Sequence, residues 1–375
     1  MQAKTKTSII ICITLFALLF LLGCAQQSTS QNPVVKVGAV LPLSGVRADG
    51  GAYATKGLNM ALDEINSDSQ RKFAIDLVFE DSEYKPEIAA SAMQKLVAID
   101  GIKFVIGEWG SSPTLAMAPI AEKNKVIMIT PWAQSDEITT AGDHIFRTQI
   151  NTKQESAFFA EFLSKRTKEV QIIGINTAYL TSYIAAFQPA FEKLGCKIGS
   201  IEKAGAEQTD MKTELTKIKA ANPTDILIVS VPKQTGLILK QAKELGIEAN
   251  FYATSPIEGS ELLKAAGDAA EGLIFPYPYN PNDTREIAKT YRQKYLAKFG
   301  EENEAGSAIC YDTLYILSNC FEKVGTETEK AKQCLYDTQN FDGASGTISF
   351  DKNGDVTKNF IIKTIKNGKF VVYEE

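Results

Sequence analysis

The sequence predicts an α/β protein built as two units in tandem, each a mostly parallel sheet covered by helices. Three observations carry that expectation. Short apolar runs recur with little alternation, such as VVKVGAVL at Val34–Leu41 and VQIIGI at Val170–Ile175, the pattern of strands buried on both faces. Between them lie stretches of helical period, as in Ala54, Leu58, Ala61, Leu62 and Ile65. The β-α-β-α-β-α-β order then completes once and starts again near Thr148. A chain of 375 residues can hold two full cores. Its 44% hydrophobic and 23% charged content is that of a soluble globular protein.

In order, Val34–Leu41 is predicted as the first strand, followed by a loop over 42–51 and a helix to about Asn66. A second strand over Phe73–Phe79 and a helix over Pro86–Ile99 come next, with Gly101 just past the helix end. The third strand, Phe104–Ile106, breaks at Gly107, and Val126–Thr130 is the fourth. In the second unit helices are predicted over Gln154–Arg166, Leu180–Leu194, Met211–Ala220 and Gln234–Leu245, the last ended by Gly246. They alternate with strands at Val170–Ile175, Lys197–Lys203, Asp225–Val231, Asn250–Ala253 and Gly272–Pro276. Helices over Asp283–Phe299 and Ala305–Val324 precede closing strands at Gly346–Phe350, Asn359–Ile365 and Lys369–Tyr373. Asp351–Asp355 (DKNGD) faintly resembles a calcium loop. Its glycine is one place early and no closing glutamate follows, so a hairpin turn is the plainer reading.

Residues 1–24 have the form of an export signal. Lys4 and Lys6 precede an apolar run, Ser8–Leu22, that is short and badly flanked for a membrane helix. The run ends in Leu21-Leu22-Gly23-Cys24, which resembles the lipobox of prokaryotic lipoproteins; that resemblance implies cleavage before Cys24 and lipid on its thiol. An uncleaved N-terminal anchor is the alternative. Either way the folded part is expected outside the cytoplasm, anchored to the cell membrane, with residues 25–33 as a polar tether. Disulfides persist there. Cys320 and Cys334, at the end of one helix and within the next, are expected to pair across a loop of about 15 residues, for roughly 3 kcal/mol. Cys196 and Cys310 are expected as buried thiols.

The net charge of −5, with no basic tract, argues against nucleic acid as a partner. His144 is the single histidine, and there is no GxxxxGK[ST] loop and no Cys/His metal pattern. An enzyme is therefore not expected, nor a cofactor or metal, and His144 is read as structural.

The chemistry converges on FVIGEWGSSPTLAMAPIAE, Phe104–Glu122. A buried strand breaks at Gly107 and enters a helix with Ser112 as the expected N-cap and Pro113 as the first helical residue. Free N–H groups and the partial positive charge of a helix start suit an anion, and the Ser111 hydroxyl adds a donor. Plain helix capping by the two serines is an equal alternative. Sites in parallel sheets lie at the carboxyl ends of strands, so the loops at 42–51, 107–112 and 131–135 are expected to meet.

Taken together, VGAVLPLSG at Val37–Gly45, GLNMALDEIN at Gly57–Asn66, DGIKFVIGEWGSSPT at Asp100–Thr114, ITPWAQSDEIT at Ile129–Thr139, GDAAEGLIF at Gly267–Phe275 and FDGASGTISFDKNGD at Phe341–Asp355 resemble the leucine/isoleucine/valine-binding family. These are type I periplasmic binding proteins that serve ABC importers. The resemblance implies two Rossmann-like lobes joined by a three-strand hinge, here 34–147 with 277–340 and 148–276 with 341–375. It implies a ligand in the cleft: its α-carboxylate on Ser111, backbone groups from Trp132 and Ala133, and Gln134 where the family has threonine. Tyr179 would cover the ligand and Glu258 would hold its ammonium, with Asp136, or a merely solvated Glu258, as the alternatives. Trp109 and Tyr183 are further cleft candidates. The first-loop aromatic of some relatives is replaced by Gly50 or Gly51, which would leave room for a bulkier ligand.

The function expected is an extracytoplasmic solute-binding lipoprotein that delivers an amino acid, branched-chain or similar, to a membrane permease. A monomer is expected. The alternatives are a sensor of the same fold, or a binder of an amide or small carboxylate.

Overall fold

The computed structural model describes residues 32–374. The expected export signal and Cys24 lie outside them. Val34–Leu41 forms β1, as its unbroken apolar run predicts. With Ala74–Asp81 (β2), Phe104–Gly107 (β3), Ile127–Thr130 (β4) and Ile145–Arg147 (β5) it makes a parallel sheet in the order β2-β1-β3-β4-β5. β5 escapes sequence reading because three residues show no period. Helices α1 (Ala48–Ser67), α2 (Pro86–Ala98) and α3 (Ser111–Lys123) connect these strands.

The chain then runs through α4 (Thr152–Ser164) into the second sheet. Its parallel strands are β6 (Glu169–Ile175), β7 (Lys197–Ala204), β8 (Asp225–Val229), β9 (Asn250–Ala253) and β10 (Ile274–Tyr277). Helices α5 (Ala178–Lys193), α6 (Lys212–Ala220), α7 (Pro232–Glu244) and α8 (Ser260–Ala266) alternate with them. Next come α9 (Glu286–Phe299), α10 (Ala305–Val324) and α11 (Thr328–Tyr336). α10 packs along α1, and Phe321 meets Phe104 of β3 edge-on at 4.7 Å, so this helical segment returns to the first sheet. After a hairpin of β11 (Phe341–Gly343) and β12 (Gly346–Ile348), the chain adds β13 (Ile361–Lys366) and β14 (Lys369–Val372) antiparallel to the second sheet. That sheet runs β14-β13-β10-β9-β8-β6-β7. The whole is an α/β fold with mostly parallel sheets.

The sequence places most elements within one to three residues. Two differences matter for the site. The stretch 42–51 is a loop only to Ser44; a 3-10 turn over Gly45–Arg47 leads directly into α1. Helix α3 starts two residues earlier than the Ser-Pro signal suggests, with Gly110 as N-cap and Pro113 as its third residue. Cys320 and Cys334 form a disulfide between α10 and α11 with Cα atoms 5.7 Å apart, and Cys196 and Cys310 are buried free thiols. His144 lies between Glu122 and Glu329, at 3.2 Å and 3.1 Å, tying α3 to α11.

Candidate functional site

The carboxyl ends of β1, β3 and β4 lie side by side, because these strands are neighbours in one parallel sheet. Gly107 allows the closest approach: its φ is +139°, and a Cβ there would sit 2.2 Å from the Val40 carbonyl oxygen. The loops leaving the three strands carry Arg47, Trp109 to Ser111, and Trp132 to Gln134. All line one small inner cavity of about 20 Å³. Tyr84 enters from the end of β2, while Tyr179, Val231 and Pro256 close it from the second sheet. Tyr84, Ser111 and Tyr179 also line an adjoining cavity of about 380 Å³.

Ser111 is 4% exposed, and its Oγ accepts hydrogen bonds from the backbone N–H of Gln134 (3.3 Å) and Ser135 (3.1 Å). A hydroxyl has two lone pairs and one proton. With both lone pairs engaged, the proton is left to donate. Ser112, expected to cap the helix, instead accepts from the Ala178 N–H at 3.1 Å. It thereby links the start of α3 to the start of α5 in the second sheet's layer.

The floor beneath Ser111 is a hydrogen-bonded network. Thr130 Oγ1 donates to the Glu108 carbonyl at 2.6 Å and accepts from the Ala133 N–H at 3.1 Å, so that N–H is not free for a ligand. The Glu108 carboxylate accepts from the Ser82 hydroxyl at 2.6 Å and from the Gly110 N–H. Burial pushes its pKa up to about 7.

The indoles of Trp109 and Trp132 stack at 4.9 Å with planes 11° apart. Trp109 also corrects the expectation of spare room at the first loop. A Cβ on Gly50 would lie 2.7 Å from its Nε1, and one on Gly306 would lie 2.3 Å from its ring, so the indole fills the space the glycines open.

From the second sheet, Tyr179 is 9% exposed and faces both cavities. Tyr183 does not reach them: one helical turn on, it is fully buried and stacks on Phe187 at 5.6 Å. Gln134 lines the inner cavity, but its side-chain amide donates to Glu155 (3.0 Å) and Ser255 (3.1 Å). The Glu155 carboxylate also accepts from the Ser255 N–H (2.8 Å) and hydroxyl (2.6 Å), and burial lifts its pKa to about 7. Gln134 thus braces the two sheets together. Glu258 is corrected outright as the ammonium holder. Both its oxygens accept from Lys363 of β13 at 2.7 Å, and it lines neither cavity.

Sequence reasoning passed over Arg47 and Tyr84. Tyr84 has a left-handed φ of +62° and directly follows Glu83 at +50°; consecutive non-glycine residues in that region often mark functional sites. The faint calcium motif holds no open site: Asp355 bonds to Arg147 at 2.7 Å and to the Thr139 hydroxyl at 2.7 Å. Among the described residues there is no cluster of acidic, histidine or cysteine side chains arranged for a metal.

Residues 34–369 match the family model for periplasmic binding proteins, and the chain belongs to that family. It is 28% identical over 370 residues to the leucine-, isoleucine-, valine-, threonine- and alanine-binding protein of Pseudomonas aeruginosa, covering 96% of this chain and 94% of that one. A crystal structure of a leucine-binding protein from Thermotoga maritima superposes with a TM-score of 0.87 at 29% identity, covering 91% of this chain and 98% of that chain. A branched-chain amino acid transporter substrate-binding protein from Streptococcus pneumoniae, in complex with isoleucine, gives 0.83 at 26%, covering 90% and 97%. The fold is that of type I periplasmic binding proteins, and the chain is a substrate-binding protein of the ABC-transporter type. The family is one of solute-binding proteins rather than enzymes, and membership implies a location outside the cytoplasm.

Proposed function

We propose that the protein captures a small carboxylate solute, amino acids first among them, and hands it to a membrane permease while tethered by lipid on Cys24. The observation that carries this is the spare proton of Ser111 at the start of α3, beside a cavity whose walls come from both sheets. A carboxylate placed there gains a hydroxyl donor and the favourable end of the helix dipole. The two relatives at 26% and 29% identity described as binding branched-chain amino acids, or leucine, support the solute class.

In this reading the two sheets are the cores of two lobes, 34–147 with 277–340 and 148–276 with 341–375, which part to admit the solute and close upon it. The inner cavity of about 20 Å³ has room for little more than one water. A solute therefore enters only as the walls separate, and contacts made in the closed form alone shift the population toward it. Trp132, Ala133, Gln134 and Tyr179 form the walls that meet the solute. Calorimetry against a panel of amino acids, amides and small carboxylates tests the reading. One-to-one binding of at least one acid is expected; no heat with any of them would overturn it.

A further inference from the structure

We propose that Arg47 is the charged anchor of this site, and that the solute is a carboxylate whose capture does not depend on an α-ammonium group. This rests on the solute-binding reading above and narrows its chemistry. Arg47 is 2% exposed and lines the inner cavity with Ser111. Its Nε donates to Asp49 at 3.1 Å, and its two terminal nitrogens meet no acceptor among the described residues. A buried guanidinium so placed presents a planar fork of donors that matches a carboxylate in bidentate geometry. Other groups lining the cavity are donors too. Besides the Ser111 proton, the indole N–H of Trp132 is buried without a partner; that of Trp109, also unpartnered, abuts Gly50 of α1.

Three carboxylates close to the inner cavity are engaged elsewhere. Glu108 is held by Ser82 and Gly110, Glu155 by Ser255 and Gln134, and Glu258 by Lys363. Asp49 Oδ1 serves Arg47, and its other oxygen is buried and unpartnered, but Asp49 does not line the cavity. Among the described residues no side-chain carboxylate lines the inner cavity; Glu83, Glu87 and Glu207 line only the adjoining one. The lining therefore complements an anion framed by aromatic walls better than a zwitterion.

The test compares L-leucine with 4-methylpentanoate, and L-phenylalanine with 3-phenylpropanoate, by calorimetry on the wild type. Each pair differs in the ammonium group alone. The deaminated acid is expected to bind at least as tightly as its amino acid. Arg47→Gln should weaken it roughly 10- to 100-fold, the range for a lost charged hydrogen bond. Arg47→Lys, which keeps the charge but not the fork, should fall between. Asp49→Asn should leave the ratio within each pair unchanged. An amino acid that binds tenfold tighter than its deaminated twin would overturn the proposal, and so would a folded Arg47→Gln protein of unchanged affinity. If Asp49→Asn erased an amino acid's advantage, Asp49 would be the ammonium holder. Binding of neither member of either pair would strike at the solute-binding reading itself.

Discussion

Ser111 draws its use from what surrounds it. Two backbone N–H groups from the loop after β4 fill its lone pairs and orient its proton. Ser111→Ala should weaken solute binding by about 1–3 kcal/mol in calorimetry. Its unfolding midpoint should change little, because the two N–H groups lie beside a cavity that can admit a water. Glu155 offers a different test. Burial raises its pKa from 4.5 to about 7, so the folded protein binds more protons than the unfolded chain between those values. Stability from this group is greatest below pH 4.5 and falls as pH rises toward 7, by roughly 1–3 kcal/mol. Urea melts across that window should be flatter for Glu155→Gln than for the wild type. Ser111 was legible in the sequence because a small polar pair between a buried strand and a helix is a local pattern. Arg47 was not, since a single charge in a short turn carries no period, and its neighbours come from strands some 60 and 85 residues further on.

At the level of elements, strands and helices with strong periodicity were readable to within a few residues, since burial on both faces writes itself as unbroken apolar runs. What failed was side-chain destination. Glu258 matches the family's ammonium holder by sequence position alone, yet β13, an antiparallel strand from the far end of the chain, brings Lys363 to it. No local signal announces that meeting. The first turn of α1 gives a sharp test of packing. Alanine is favoured over glycine in a helix by about 1 kcal/mol. At Gly50, however, the added Cβ would press on the stacked Trp109 indole, 2.7 Å away. Overpacking costs about 1–3 kcal/mol, so Gly50→Ala should lower stability and change tryptophan fluorescence, both measurable in one denaturant titration. A stabilised variant would mean that the indole moves freely, and the inner cavity would then not be a rigid mould.

For the whole molecule, the key residue is Arg147, fully buried where β5 ends and the chain leaves the first sheet. It binds Asp355 at 2.7 Å and the Ser135 carbonyl at 2.8 Å, fastening the loop beside the site to the turn after the β11–β12 hairpin. Arg147→Met leaves Asp355 buried without its cation and should cost about 3–5 kcal/mol in equilibrium unfolding. The tandem α/β plan was visible in the sequence. The way distant segments cross between the sheets was not, because such contacts depend on pairs far apart in the chain. Hydrogen–deuterium exchange, with and without the tightest-binding small carboxylate, asks most directly whether a solute is gripped at Ser111 by both sheets. Exchange should slow together at 46–49, 108–112 and 131–135 from the first sheet, and at 176–180 and 229–232 from the second. Protection confined to one sheet's loops, or centred on the separate cavity around 345–359, would contradict it.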